Sequence, residues 1–249
     1  MTSVVSIVGG HGKIALRLAR VLSSSGSHKV HSIIRSQDHA QDIKATAANP
    51  VVMSLEDDPA AKFTEFFEQT KTNVVVFSAG AGGKGGPERT KKVDYEGAVK
   101  IFDAIEGVTG EKPRLILVSA VDNRDLSIVP DHYTAKDVEA SKSVHEGALK
   151  NYYHWKYEAD KDLVKRTAFQ WTILRPGFLL DDAGLGTAHI GKSNLDATQI
   201  ARDDVATALA VLVDRPDAAG LSLDMTSGKT PIAEGIDTAV KNRVDAWVG

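Results

Sequence analysis

The sequence predicts an α/β protein built on a doubly wound parallel sheet. Three observations carry this. Short apolar runs alternate with segments of helical periodicity along the 249 residues, the signature of strand–helix–strand units. The apolar runs are continuous, as in strands covered on both faces. The first run leads through a glycine-rich turn into the first helical segment, where such sheets bind ligands.

Ser3–Val8 (SVVSIV) reads as a buried strand, followed by a helix with Ile14, Leu16, Leu18, Ala19, Val21 and Leu22 at helical spacing. Lys29–Ile34 is a second strand, 37–48 a weak helix and Val51–Met53 a short third strand. Over 60–70, Phe63, Phe66 and Phe67 form an i, i+3, i+4 face. Asn73–Ser78 is the fourth strand and enters a glycine-rich loop, AGAGGKGG, at 79–86. A long helix is expected over 88–107, a strand over Arg114–Ser119 and a helix over 145–167. Trp171–Leu174 is a strand closed by Arg175-Pro176-Gly177. A helix over 203–214, a strand over Leu221–Met225 and a helix over 231–247 complete the chain. Residues 120–144 are polar and charged and 178–201 loop-like, so both resist assignment. There is no internal repeat. The expectation is a single domain over 1–249, with a small substrate lobe from 178–201 and the C-terminal segment.

Composition removes several function classes. The chain has no cysteine, hence no disulfide, no thiolate-held zinc, no iron–sulfur cluster and no thiol nucleophile. Thirty Lys and Arg stand against 33 Asp and Glu, a formal charge of −3, so no global field gathers nucleic acid. The start, MTSVVSIVGGHG, has no basic segment and its apolar stretch is broken by glycines, so no signal peptide is expected. No run is long enough to span a bilayer. A cytoplasmic protein acting on a small molecule is expected, with no nucleic-acid or membrane partner. Monomer and homodimer both stay open. The eight histidines are scattered, which argues against a metal site.

The turn Gly9-Gly10-His11-Gly12-Lys13-Ile14-Ala15 fits G-x-G-x-x-A on Gly10, Gly12 and Ala15, or G-x-x-G-x-x-A on Gly9, Gly12 and Ala15. Glycines allow a tight turn and close approach of backbone N–H groups to a pyrophosphate. The helix N-terminus adds free donors and a favourable dipole. The second strand ends in Ile34-Arg35-Ser36, where an NAD enzyme places an acid to hold the ribose hydroxyls. An arginine cannot accept from those hydroxyls but can pair with a 2′-phosphate, and Ser36 can donate to it. The expected cofactor is therefore NADP(H).

Gly186–Ser193 (GTAHIGKS) matches the phosphate loop of NTPases letter for letter. That mechanism needs a strand before the loop and a helix after it. Asp181-Asp182 upstream and Asn194-Leu195-Asp196 downstream supply neither, so no NTPase site is expected.

Tyr152 and Lys156 form Y-x-x-x-K within a helical segment and share one face. A lysine ammonium there is expected to lower the phenol's pKa and fit it for proton transfer. Ser119, at the C-terminal end of its strand, can orient a substrate carbonyl. Tyr157 and Lys161 repeat the spacing, but on a charged, solvated face.

Together these motifs resemble the short-chain dehydrogenase/reductase superfamily, in its atypical branch with NmrA-like and biliverdin-reductase-B-like members. The resemblance spans nearly the whole chain: GGHGKIA, Arg35, FSAGAGG at 77–83, VDYEGA at 93–98, ILVSA at 116–120, YYHWKYEADKDL at 152–163, TILRPG at 172–177, ARDDVA at 201–206 and TPIAEGI at 230–236. It implies a Rossmann-type sheet with strand order 3-2-1-4-5-6 and an additional C-terminal strand. By position it puts Gly9, Gly12 and Ala15 along the pyrophosphate, with His11, Lys13 and Arg35 at phosphates. Ala79 and Gly80 fall at the adenosine, and Pro176-Gly177 beside the nicotinamide. Ser119, Tyr152 and Lys156 become the catalytic set. Two departures stand out: residues 120–151 separate serine from tyrosine, and Asp94 stands where an asparagine is common. The resemblance implies NADPH-dependent reduction of a small carbonyl-type substrate. Its alternative is an NmrA-like sensor that binds NADP without turnover.

Overall fold

The computed structural model describes residues 3–82, 85–196 and 198–249. Strands β1 (Ser3–Val8), β2 (His28–Ile34), β3 (Asn49–Val52), β4 (Val74–Phe77), β5 (Arg114–Val118) and β6 (Trp171–Pro176) lie parallel in the order 3-2-1-4-5-6. The C-terminal strand β10 (Ser222–Pro231) joins parallel to β6, and β8 (Thr187–Gly191) closes that edge antiparallel to β10. A two-stranded parallel sheet, β7 (Phe178–Leu180) with β9 (Gln199–Ala201), stands apart. Three short strands therefore occupy the stretch that reads as loop. Segments of three to five residues give too little periodicity to register.

The central strands are largely apolar because alternate residues feed two cores. Val5, Ile7, Val74, Val76, Ile116 and Val118 pack under helix α1 (Lys13–Ser24), α8 (Arg202–Val213) and α9 (Ile232–Lys241). Val8, Val75, Phe77, Leu115 and Leu117 pack against α3 (Ala60–Thr70), α5 (Gly97–Gly107) and α7 (Lys150–Leu163). Helix α1 buries Ile14, Ala15, Leu18, Ala19 and Leu22, whereas Val21 is exposed. The short α2 (Ala40–Lys44) covers the β3 edge.

Two helical expectations change. The long helix over 88–107 starts earlier, as α4 (Gly86–Thr90), and passes through a π-helical turn, Lys91–Glu96, into α5. That wider turn buries Asp94, and such turns are frequent at functional sites. The helix expected over 145–167 is the shorter α7, and a separate helix, α6 (Ala135–Glu146), precedes it, largely within the unassigned stretch. Thr134 and Asp137 form a reciprocal capping box at the start of α6, a T-x-x-D signature inside the unassigned stretch. Burial alone would raise the Asp137 carboxyl, but hydrogen bonds from Thr134, the Leu195 N–H and the Asn194 amide outweigh it and hold it well below the usual range. The rest of 120–144 folds around Asp122, whose φ of +61° lies in the left-handed region. Its carboxylate accepts from Arg124 and Tyr133, each at 2.8 Å, and pairs with His145 at 3.1 Å.

The phosphate-loop look-alike runs as strand β8. The Gly186 N–H donates to Asp204 and the Ser193 N–H to Asp224, both carboxylates of the protein itself. No helix among the described residues is long and apolar enough to cross a membrane.

Candidate active site

The C-terminal ends of β1, β2, β4, β5 and β6 frame one cleft of two linked cavities. The glycine loop after β1 divides it. Gly12, Ser78, Ala79 and Gly80 line both halves.

The loop's geometry follows from its glycines. Gly9 has φ +79°, and a Cβ there would stand 2.6 Å from the Ala79 Cα. Gly10 packs the loop onto β2, where a Cβ would meet the Ser32 Cβ at 2.7 Å. Gly12 caps α1 without a side chain, and the first turn of α1 carries no acid. The α1 N-terminus therefore presents free N–H donors and an uncompensated dipole. These features fit a dinucleotide pyrophosphate: backbone approaches backbone where any side chain would intrude, and nothing negative from α1 competes.

The first cavity, about 230 Å³, lies beyond β2 and β3 and is lined by His11, Arg35, His39, Glu56 and Arg89 among others. The Arg35 guanidinium is largely exposed and stands 3.7 Å from Glu56, which Arg89 also engages at 3.2 Å. His11 stacks on His39 with ring centroids 3.8 Å apart and bonds Asp42 at 2.7 Å. Ser36 does not line this cavity. Its hydroxyl bonds the Asp38 carboxylate and accepts the Asp38 N–H, capping the turn after β2.

The second cavity, about 520 Å³, is lined by Lys13, Ile14, Asp94, Ser119, Tyr152, Lys156, Pro176, Leu179 and Arg202. The Lys13 ammonium pairs with Asp181, which Arg202 also engages at 2.9 Å. Gly177 faces away from the cavity, its Cα packed on the Thr198 backbone. Tyr157 and Lys161 lie outside it: the ammonium sits 5.5 Å from the phenol ring, which stacks on Trp247.

Side chains of α7 line the cavity or stand behind its wall at spacings of four. Lys156 is buried. It donates to the Val118 carbonyl at 3.0 Å and stands 3.5 Å from Asp94 Oδ1. Asp94 Oδ2 accepts the Ala81 N–H at 2.9 Å and so ties the loop after β4 to the lysine. Tyr152 lies over the same ammonium, 5.9 Å from Nζ to ring centroid. Its phenol is not lowered as the spacing predicts. Burial first, then the carboxylates of Asp94 and Asp160, push it up. One turn beyond Lys156, Asp160 is fully buried, and burial raises its carboxyl to about 6 despite hydrogen bonds from Ser119 and Asn123 and the nearby Arg175 and Lys156 charges.

Sequence reasoning passed over Asp160, Asn123 and Arg175, and noted Asp94 only for its residue type. Asp160 sits in the Tyr157–Asp162 stretch that reads as a charged, solvated face. Its spacing of four from Lys156, and of eight from Tyr152, was the available signal.

Comparison with known proteins bears on this site. A family model described as NAD(P)H-binding matches residues 9–216. A UPF0659 protein of Schizosaccharomyces pombe is 40% identical over 236 residues, 94% of each chain. A Bacillus subtilis protein described as an uncharacterized sugar epimerase is 30% identical, over 93% of this chain and 98% of its own. Among solved structures, a Bacillus halodurans protein described as an NAD-dependent epimerase/dehydratase superposes with a TM-score of 0.78 at 28% identity, covering 95% of this chain and 99% of that one. The chain belongs to the NAD(P)H-binding family, and two of these relatives are described as epimerases.

Proposed function

We propose that this member of the NAD(P)H-binding family is an NADP(H)-dependent oxidoreductase that reduces a small carbonyl-type substrate. One observation carries the reading. The glycine loop that fits a pyrophosphate opens directly onto Ser119, Tyr152 and Lys156, in a cavity continuous with it. The Arg35 guanidinium, exposed at the end of β2, supports a 2′-phosphate on the adenosine side.

In this reading the bound nicotinamide supplies the hydride. The chain supplies the rest. Lys156, fixed by the Val118 carbonyl and Asp94, keeps one N–H for a ribose hydroxyl. Tyr152 remains protonated at neutral pH, so its hydroxyl can donate to a carbonyl oxygen and then release the proton to it. Ser119 lines the same cavity just past the end of β5. Pro176 and Leu179 add apolar lining to the cavity.

A second reading draws on the same phenol. Tyr152 is pushed up rather than down, and Asp94 offsets the Lys156 charge. Both features suit a protein that binds NADP and signals through a partner without turnover.

Calorimetric titration with NADPH, NADH and ATP tests the cofactor. NADPH is expected to bind at least about tenfold tighter than NADH, and Arg35→Ser to remove that margin. A preference for NADH overturns it, and a response to ATP alone overturns the fold-based rejection of 186–193. Tyr152→Phe separates the readings. An oxidoreductase loses turnover and keeps NADPH binding, whereas a sensor shows no turnover before or after the change.

A further inference from the structure

The proposed reaction leaves one buried ionisable group in the cleft wall unused. Asp160 does not line the cavity. It stands behind Ser119, which does, and the two share a short hydrogen-bond network. The Ser119 hydroxyl donates to Asp160 Oδ2 at 2.7 Å. The Asn123 amide donates to both, at 3.1 Å to Ser119 Oγ and 2.7 Å to Asp160 Oδ2.

A serine hydroxyl has one hydrogen to donate and two lone pairs to accept with. Here the hydrogen goes to Asp160 and one lone pair to Asn123. Ser119 offers the cavity only its second lone pair. A carbonyl oxygen finds no donor there, while a hydroxyl does find an acceptor. If Asp160 Oδ2 takes up a proton, the bond reverses. The carboxyl then donates to Ser119 Oγ, both serine lone pairs are filled, and the serine hydrogen turns to the cavity. One proton enters from solvent, and no other bond changes.

We propose that Asp160 is a positioning residue that sets the hydrogen-bond polarity of Ser119, so that the cleft takes a substrate hydroxyl when Asp160 is ionised and a substrate carbonyl when it is protonated. This deepens the oxidoreductase reading and rests on it, since alcohol and carbonyl are its two substrate forms.

The groups around Asp160 place the switch in an accessible range. Tyr152 and Lys156 face it from α7, and Arg175 from β6 with Asp224 of β10 behind it at 2.7 Å. Ser119 faces it from the end of β5 and Asn123 from the loop that follows. Asp94 lies beyond Lys156. Two cations do not offset the burial, and the carboxyl titrates at about 6.

Asp160→Asn keeps the volume and cannot carry the switching proton. The Asn123 donor facing it turns its amide oxygen toward Ser119, which fixes the accept-only state. We expect wild-type kcat/KM for benzaldehyde or dihydroxyacetone, at saturating NADPH, to fall about tenfold per pH unit above about pH 6. In Asp160→Asn it should stay flat from about pH 5 to about pH 8.5, at the wild-type alkaline level. A retained fall above about pH 6 in the variant overturns the proposal. Carbon-13 carboxyl NMR gives a readout free of turnover. The resonance lost in Asp160→Asn should titrate near neutrality in the wild type and move upward in Ser119→Ala, which loses the hydrogen bond to the charged form. An unmoved midpoint refutes the coupling whatever the turnover. A moved midpoint with no reduction of either carbonyl sustains the coupling and refutes the reductase reading instead.

Discussion

Replacing Gly9 by alanine tests the cleft's construction most directly. Gly9 sits at φ +79°, and an added Cβ would lie 2.6 Å from the Ala79 Cα, 2.8 Å from its N and 2.9 Å from its Cβ. All three atoms are tied to the backbone, so no flexible side chain can swing away. The left-handed conformation costs an alanine about 1–2 kcal/mol. Displacing rigid backbone adds about 1–3 kcal/mol. A central value near 3.5 kcal/mol lowers Tm by roughly 7–14 °C in a chain of this size. The relief must come from parting the β1 and β4 loops, the two walls that meet a dinucleotide. NADPH affinity should therefore fall at least about tenfold. Gly26→Ala is the control, because its φ is +67° but a Cβ there meets nothing within 4 Å. It should show only the conformational cost and keep its NADPH affinity. Differential scanning calorimetry and isothermal titration read both quantities. Equal Tm losses in the two variants, or an unchanged NADPH affinity in Gly9→Ala, would refute the close-contact argument.

Three further outcomes follow from the same geometry. The Asp160 carboxyl is raised from 3.8 to about 6, so the folded state holds its proton more tightly than the unfolded chain. The resulting stability is fully present below about pH 4 and is lost as pH rises through about 6, a change of roughly 3 kcal/mol. The difference in unfolding free energy between wild type and Asp160→Asn, from urea melts across that window, should show this decline, and a pH-independent difference would refute it. Thr134→Ala removes half of the α6 capping box and should cost about 1 kcal/mol, with earlier amide exchange in α6 than in α7. Glu56→Gln removes the carboxylate that engages Arg35 and Arg89, so calorimetry should find NADPH binding several-fold tighter, roughly three- to tenfold, with NADH unchanged.

Much of the architecture was legible because it is repeated and strongly apolar. The six parallel strands, the α3 helix over 60–70 and the C-terminal strand all carry periodic or continuous burial, whereas the strand order came from the family resemblance. What escaped was short or polar. Strands β7, β8 and β9 have three to five residues, and the 120–134 segment is held by Asp122, Arg124, Tyr133 and His145 rather than by an apolar face. Among the site residues, Gly9, Gly12, Ala79, Gly80, Ser119, Tyr152, Lys156 and Pro176 come together in the cleft. Gly10, Ser36 and Gly177 serve the packing around it. A glycine or serine looks alike in sequence whether it faces a ligand or a neighbouring chain segment.

The opening inference, a doubly wound sheet with a nucleotide turn after its first strand, needed only the sequence, because hydrophobic periodicity and glycine spacing are local properties. The protonation logic of the cleft needed the tertiary structure. Tyr152 and Lys156 are neighbours by helical spacing, but whether the phenol rises or falls depends on burial and on Asp94, 58 residues from Tyr152. Asp160 reads as part of a solvated charge run until the fold sets it against Ser119, 41 residues away. Desolvation and charge act through space, and only the folded chain decides which groups share that space.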